Sequence, residues 1–176
     1  QMARALHQGI VENRILVYST ESGVEEELAK TRLAGFMDTA PSNQYRVVVQ
    51  NIDASKLDYY LERDISIRSL SCGVSAEVEV SVTVKNSLAS GVGLPAYVLT
   101  RADKSKPDAI IPGQHRFLLF VYGPPQSKIL SATRTSTTGS AGGVATERER
   151  PILVADLDLA PGMSEGVTTT FSRGLG

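Results

Sequence analysis

Cysteine, histidine and tryptophan are nearly missing from this chain: its 176 residues include one Cys, two His and no Trp. A single thiol, Cys72, excludes an internal disulfide framework and a thiolate metal cluster. His7 and His115 are too few and too isolated for a nucleophilic triad or a His-Glu-x-x-His zinc site, and no Gly-x-Ser-x-Gly elbow is present. The expectation is therefore no metal, no cofactor and no catalytic residue. No apolar run approaches the ~20 residues that span a bilayer, so direct membrane insertion by this chain is not expected. A net charge of -1 gives no global attraction to nucleic acid or anionic lipid. The glycine-rich stretch Gly139 to Gly143 lacks the Gly-Lys-Ser/Thr ending of a phosphate loop and reads as part of a hairpin tip spanning Thr135 to Gly143.

What the chain does have is alternation. Ala76, Val78, Val80, Val82 and Val84 interleave with Glu77, Glu79, Ser81, Thr83 and Lys85, the pattern of a half-buried antiparallel strand. Tyr45 to Gln50, Phe117 to Tyr122, Lys128 to Thr135, Ala145 to Arg150, Ile152 to Leu159 and Val167 to Phe171 read as further strands. Pro161-Gly162 between the last two reads as the turn of a closing hairpin. Leu57, Tyr59, Leu61, Ile65 and Ile67 are expected on the buried face of one long extended segment, with Arg63 interrupting it. The proline- and glycine-rich stretch from Ser87 to Gln114 reads as a crossover loop. Many short strands between turns predict a mainly β (α+β) chain, an immunoglobulin-like antiparallel β-sandwich over residues 41–176.

Residues 1–40 read differently. Met2, Leu6 and Ile10 recur at helical spacing, Ile15-Leu16-Val17 suits a short buried strand, and Ser22 with Glu25 forms a capping-box pattern ahead of a helix over Val24 to Leu33. Glu26 and Lys30 are expected to pair on that helix, and Gly35 to stop it. This is a helix–strand–helix appendage, too small to be a domain alone. The ends, Gln1 and Gly174-Leu175-Gly176, suggest a piece of a longer protein, the appendage belonging with an absent N-terminal half.

Candidate chemistry concentrates between Asn51 and Asp64, where an amide, a lysine, adjacent tyrosines, an arginine and several carboxylates share a turn and a strand. Strand alternation places Tyr59 in the core and Tyr60 outside, where an aromatic beside Lys56 and Asp58 can stack on a sugar or a partner. Asn51, Lys56, Asp58, Tyr60 and Arg63 are the candidate binding residues; the competing reading is a corner in which Asn51 and Asp53 satisfy turn amides. Elsewhere the expectations are bland. His115 reads as a surface residue at a strand edge, Asp156 and Asp158 as a solvated outer face, and Glu147 to Arg150 as a protected edge strand.

The string Val49-Gln-Asn-x(4)-Lys-Leu-Asp-Tyr-Tyr-Leu-x-Arg-Asp64 resembles the C-terminal half of an uncharacterised bacterial family, the domain-of-unknown-function family four thousand and twelve, frequent in actinobacteria. Arg14-Ile-Leu-Val-Tyr-Ser19, Gly93-Leu-Pro-Ala-Tyr-Val98, Val121-Tyr-Gly123 and Leu157-Asp-Leu-Ala-Pro-Gly162 carry the same resemblance over nearly the whole chain. It implies a parent anchored by an N-terminal membrane helix, with its bulk outside the cytoplasmic membrane. It supplies no catalytic residues. The function expected is a non-catalytic module of the cell envelope that binds an envelope glycan or another envelope protein; the alternative is the accessory half of a polysaccharide-handling enzyme.

Overall fold

The computed structural model describes residues 2–11, 15–35, 44–73, 76–89, 93–100, 111–136 and 141–172. The chain divides into two compact units, Gln1–Thr39 and Ala40–Gly176.

The first unit contains α1 (Met2–Val11) and α2 (Ser22–Ala29), followed by a 3-10 turn over Arg32–Ala34. The strand expected over Ile15 to Val17 is not formed. Ile15 and Val17 each donate one backbone N–H, to Gly9 and Leu33, and neither builds a ladder because no second strand is described in this unit. Leu16, Val17 and Tyr18 are exposed, as is Leu6 on α1. Glu25 does reach back at the start of α2, but to the N–H of Ser19, while Ser22 is already helical. Lys30 pairs with Glu27 rather than Glu26. Gly35 follows the 3-10 turn at φ +68, a conformation that favours glycine.

The second unit is a sandwich of two four-stranded antiparallel sheets. Its strands are β1 (Arg46–Asn51), β2 (Leu61–Ser69), β3 (Glu77–Asn86), β4 (His115–Tyr122), β5 (Ile129–Arg134), β6 (Gly143–Glu147), β7 (Arg150–Leu159) and β8 (Ser164–Ser172). One sheet runs β1-β4-β7-β6 and the other β2-β3-β8-β5. Between them lies the core: Val80, Val82 and Val84 from β3, Val167 and Phe171 from β8, Phe117, Leu119 and Val121 from β4, and Leu153, Ala155, Leu157 and Leu159 from β7. Each of the valine, leucine and phenylalanine side chains stabilises the fold by roughly 1.5–3 kcal/mol relative to exposure.

Only β2–β3 and β6–β7 are hairpins; every other connection crosses from one sheet to the other. The Pro161-Gly162 turn is therefore an arch between sheets, not the turn of a closing hairpin. Gly162, at φ +79, donates its N–H to the carbonyl of Asn86 on β3. The buried Asn86 amide fastens the same arch, donating to the carbonyls of Gly113 at 2.8 Å and Leu159 at 3.0 Å. The connection from β5 to β6 likewise crosses sheets, so these two strands do not pair as the expected hairpin; residues 137–140 of the expected tip fall outside the described residues. At its far end Gly142 passes so close to β7 that a Cβ would sit 2.2 Å from the Val154 carbonyl oxygen.

Glu147 to Arg150 is not one extended run. Arg148 and Glu149 adopt φ 47 and φ 62, forming the two-residue turn between β6 and β7. Arg150 is 2% exposed, and its Nη1 donates to the carbonyls of Gln44 and Gly123, both at 3.2 Å. The crossover after β3 contains one helical turn, α3 (Ala96–Leu99); residues 101–110 lie outside the described residues.

Candidate functional site

The segment singled out by sequence is the connection that carries the chain from β1 across to β2. It sits at the end of the sandwich where β1, β3 and β7 finish and β2, β4 and β8 begin. The backbone leaves β1 at Asn51, turns through Ala54 at φ 52, forms a 3-10 turn over Leu57–Tyr60 and enters β2 at Leu61. Leu57 is fully buried and anchors the turn from below.

Asn51 organises the corner. Its Oδ1 accepts the N–H of Asp53 at 2.9 Å, an Asx turn, while its Nδ2 donates to the Ser55 carbonyl at 3.1 Å and to Asp58 Oδ2 at 2.8 Å. Asp53, itself buried, accepts the Arg116 N–H at 3.0 Å and so ties the connection to the start of β4. Asn51 and Asp53 thus do what the corner reading requires of them. On the far side the carbonyl of Tyr60 accepts both the N–H and the hydroxyl of Ser87 at 2.8 Å.

The tyrosines are reversed with respect to expectation. Tyr59 is 88% exposed, whereas Tyr60 is half-buried, the rings meeting edge to face at 5.2 Å. Alternation fails here because these residues lie on a 3-10 turn rather than a strand. Lys56 is exposed, and its backbone N–H donates to the Val98 carbonyl of α3 at 3.3 Å. That bond brings the two connections together, and α3 contributes Tyr97, 66% exposed, which sequence reasoning did not single out. Arg63 is exposed on β2, opposite Val84 in the register. Of the five candidates, Asn51 and Asp58 are hydrogen-bonded to each other, Tyr60 is partly covered, and Lys56 and Arg63 face solvent.

His115 is the other departure. It is fully buried, not a surface residue, and neither ring nitrogen has a hydrogen-bond partner among the described residues. Its Nε2 stands 3.4 Å from Asp58 Oδ1, and its ring leans on Phe117 at 5.0 Å between centroids. Burial holds its pKa below the ordinary histidine value; Asp58, Asp53 and Asp158 oppose that shift without reversing it. The imidazole is therefore neutral near pH 7. Its ring does not reach solvent itself, and Asp58, 54% exposed, stands between it and the surface. The clue was its place in the period-two series with Phe117, Leu119 and Val121, all inward.

Asp156 is exposed and engaged by Arg116 through two contacts of 2.7 and 3.2 Å across the β4–β7 pair, which leaves Asp156 and Asp158 a poor carboxylate pair for a cation. Among the described residues no group of three His, Cys, Asp or Glu is placed to hold a metal. Chemically, this end of the sandwich offers two exposed aromatic rings, the ammonium of Lys56 and the exposed carboxylate of Asp58 on adjoining connections. Compared with protein-family models, with curated proteins and with solved structures, the chain matches none.

Proposed function

We propose that this chain is a non-catalytic binding module, displayed outside the cytoplasmic membrane by a membrane-anchored parent of the bacterial, chiefly actinobacterial, cell envelope, and that its ligand is an envelope glycan. The observation that carries the binding reading is the pair Tyr59 and Tyr97, exposed on two connections joined at Lys56 and Val98. Aromatic faces stack on the apolar faces of sugar rings, and a neighbouring ammonium suits the carboxylate or phosphate groups of acidic polysaccharides. The assignment to the envelope rests on the string from Val49 to Asp64 and the shorter strings that accompany it. The immunoglobulin-like assignment is part of the same proposal, and two packed antiparallel sheets support it as they support any sandwich. Its first two strands nevertheless lie in different sheets, whereas the constant-type immunoglobulin order keeps them adjacent.

Co-sedimentation with insoluble envelope glycan tests the ligand. Wild type is expected in the pellet, and the Tyr59→Ala/Tyr97→Ala double variant in the supernatant at an unchanged melting temperature. Binding that survives both replacements contradicts the proposal. A second reading, the accessory half of a polysaccharide-handling enzyme, draws on the exposed Leu6, Leu16 and Tyr18 of the first unit, apolar groups suited to an absent N-terminal half. Adding that half in trans should protect these residues from labelling if this reading holds.

A further inference from the structure

We propose that two copies of this chain pair edge to edge through β2, antiparallel and centred on Ser66, joining their β2-β3-β8-β5 sheets into one continuous sheet. β2 is an outer strand of its sheet. The Leu70 N–H donates to the Glu77 carbonyl and the Ser87 N–H to the Tyr60 carbonyl, which fixes the phase of the β2–β3 ladder. Even-numbered residues of β2 bond to β3, so Leu61, Arg63, Ile65, Ile67 and Ser69 aim their N–H and C=O groups outward. No partner for those groups occurs among the described residues.

The side chains are also left open. Ile65 and Ile67 stand opposite Val82 and Val80 in register, and hence on the inner face, yet they are 47% and 55% exposed. Both were expected in the core; β2 overhangs it instead. Asp64 and Arg68 are exposed on the other face, Arg68 also contacting Glu79 at 2.9 Å.

Set against an antiparallel copy of itself about Ser66, the strand pairs the outward groups of Arg63, Ile65, Ile67 and Ser69 and covers both side-chain faces. Ile65 meets Ile67 of the second copy at positions that exchange backbone hydrogen bonds. Asp64 meets Arg68 of the second copy at the intervening positions, where side chains approach most closely. Symmetry repeats each pair. Centring on Ile65 instead keeps a single Ile65–Ile65 contact, sets Arg63 against Ile67 and Asp64 against Ser66, and so loses both Asp64–Arg68 pairs and one of the two apolar pairs. A shift of one residue turns the apolar face outward. Charges on an edge ordinarily repel stray strands; here their spacing admits a copy of the same strand. The other outer strands, β1, β5 and β6, each carry a single charged residue, Arg46, Arg134 and Glu147, and offer no such match.

One strand pair lies at the weak end of specific interfaces, so the association is reversible. Sedimentation of the whole chain at concentrations up to about 1 mM reads it directly. Wild type is expected to show a monomer–dimer equilibrium. Asp64→Arg and Arg68→Asp are each expected to sediment as monomers where wild type dimerises, with unchanged circular dichroism and melting temperature. An equimolar mixture of the two variants should dimerise again, since each supplies the sign the other has lost. A wild type that stays monomeric throughout overturns the proposal, as does a dimer that both variants retain or a mixture that fails to restore it.

Discussion

Replacing Asn51 by alanine probes the corner on which the exposed end of the sandwich is built. The substitution removes the acceptor of the Asp53 N–H and the donor to the Ser55 carbonyl and Asp58. Two backbone groups in a partly buried turn then lose their partners, each worth about 1–3 kcal/mol when fully desolvated. Residual access to water at this corner brings the total to about 2–4 kcal/mol. For a chain of this length that corresponds to a fall in melting temperature of about 4–16 °C. Lys56→Ala and Tyr59→Ala, in the same connection but with exposed side chains, should stay within about 0.5 kcal/mol of wild type. Urea titrations followed by tyrosine fluorescence compare the three directly. An Asn51→Ala variant as stable as Lys56→Ala refutes the reasoning, because the hydrogen-bonded corner would then contribute nothing.

Val80 is fully buried between the sheets, so Val80→Asp strands an unpaired carboxylate and should cost several kcal/mol; calorimetry showing a melting point within a degree or two of wild type contradicts the assigned face. His115 has a folded pKa below its ordinary value of 6.5, so the unfolded chain takes up a proton first as pH falls. Its contribution to stability is complete above pH 6.5 and declines below it, and His115→Phe should flatten the stability profile between pH 7.5 and pH 5.5; equal slopes in the two proteins would exclude this source. Arg134 holds the nearly buried Glu165 through two contacts of 2.7 and 2.9 Å and also donates to the Asp156 carbonyl of β7. Arg134→Met should cost about 3 kcal/mol at neutral pH. Arg134 holds the Glu165 pKa below 4.5, so its stabilisation is present above that value and lost as pH falls through the lower folded pKa; a wild-type–variant gap that persists undiminished into strong acid contradicts the pairing.

The strands were legible wherever one face is buried. Val80, Val82 and Val84 alternate with polar residues because β3 has the other sheet on one side and water on the other. Which strands pair was not legible, because a turn encodes only its local path. Pro161-Gly162 serves an arch as well as a hairpin, and the pairing of β7 with β4 and β6 is settled by long-range packing. Periodicity also misled where its premise failed. Tyr59 and Tyr60 lie on a 3-10 turn, and Ile65 and Ile67 keep an apolar rhythm on a strand that overhangs the core. His115 and Arg150 were misjudged for their polarity, although one lies on a core face and the other satisfies two carbonyls.

The binding end of the sandwich is the central claim, and an NMR titration with solubilised envelope glycan tests it most directly. The amide signals of residues 56–60 and 93–98 are expected to shift together and to saturate, with β5 and β6 unmoved. Shifts confined to other surfaces, or no shifts at saturating glycan, would contradict the account.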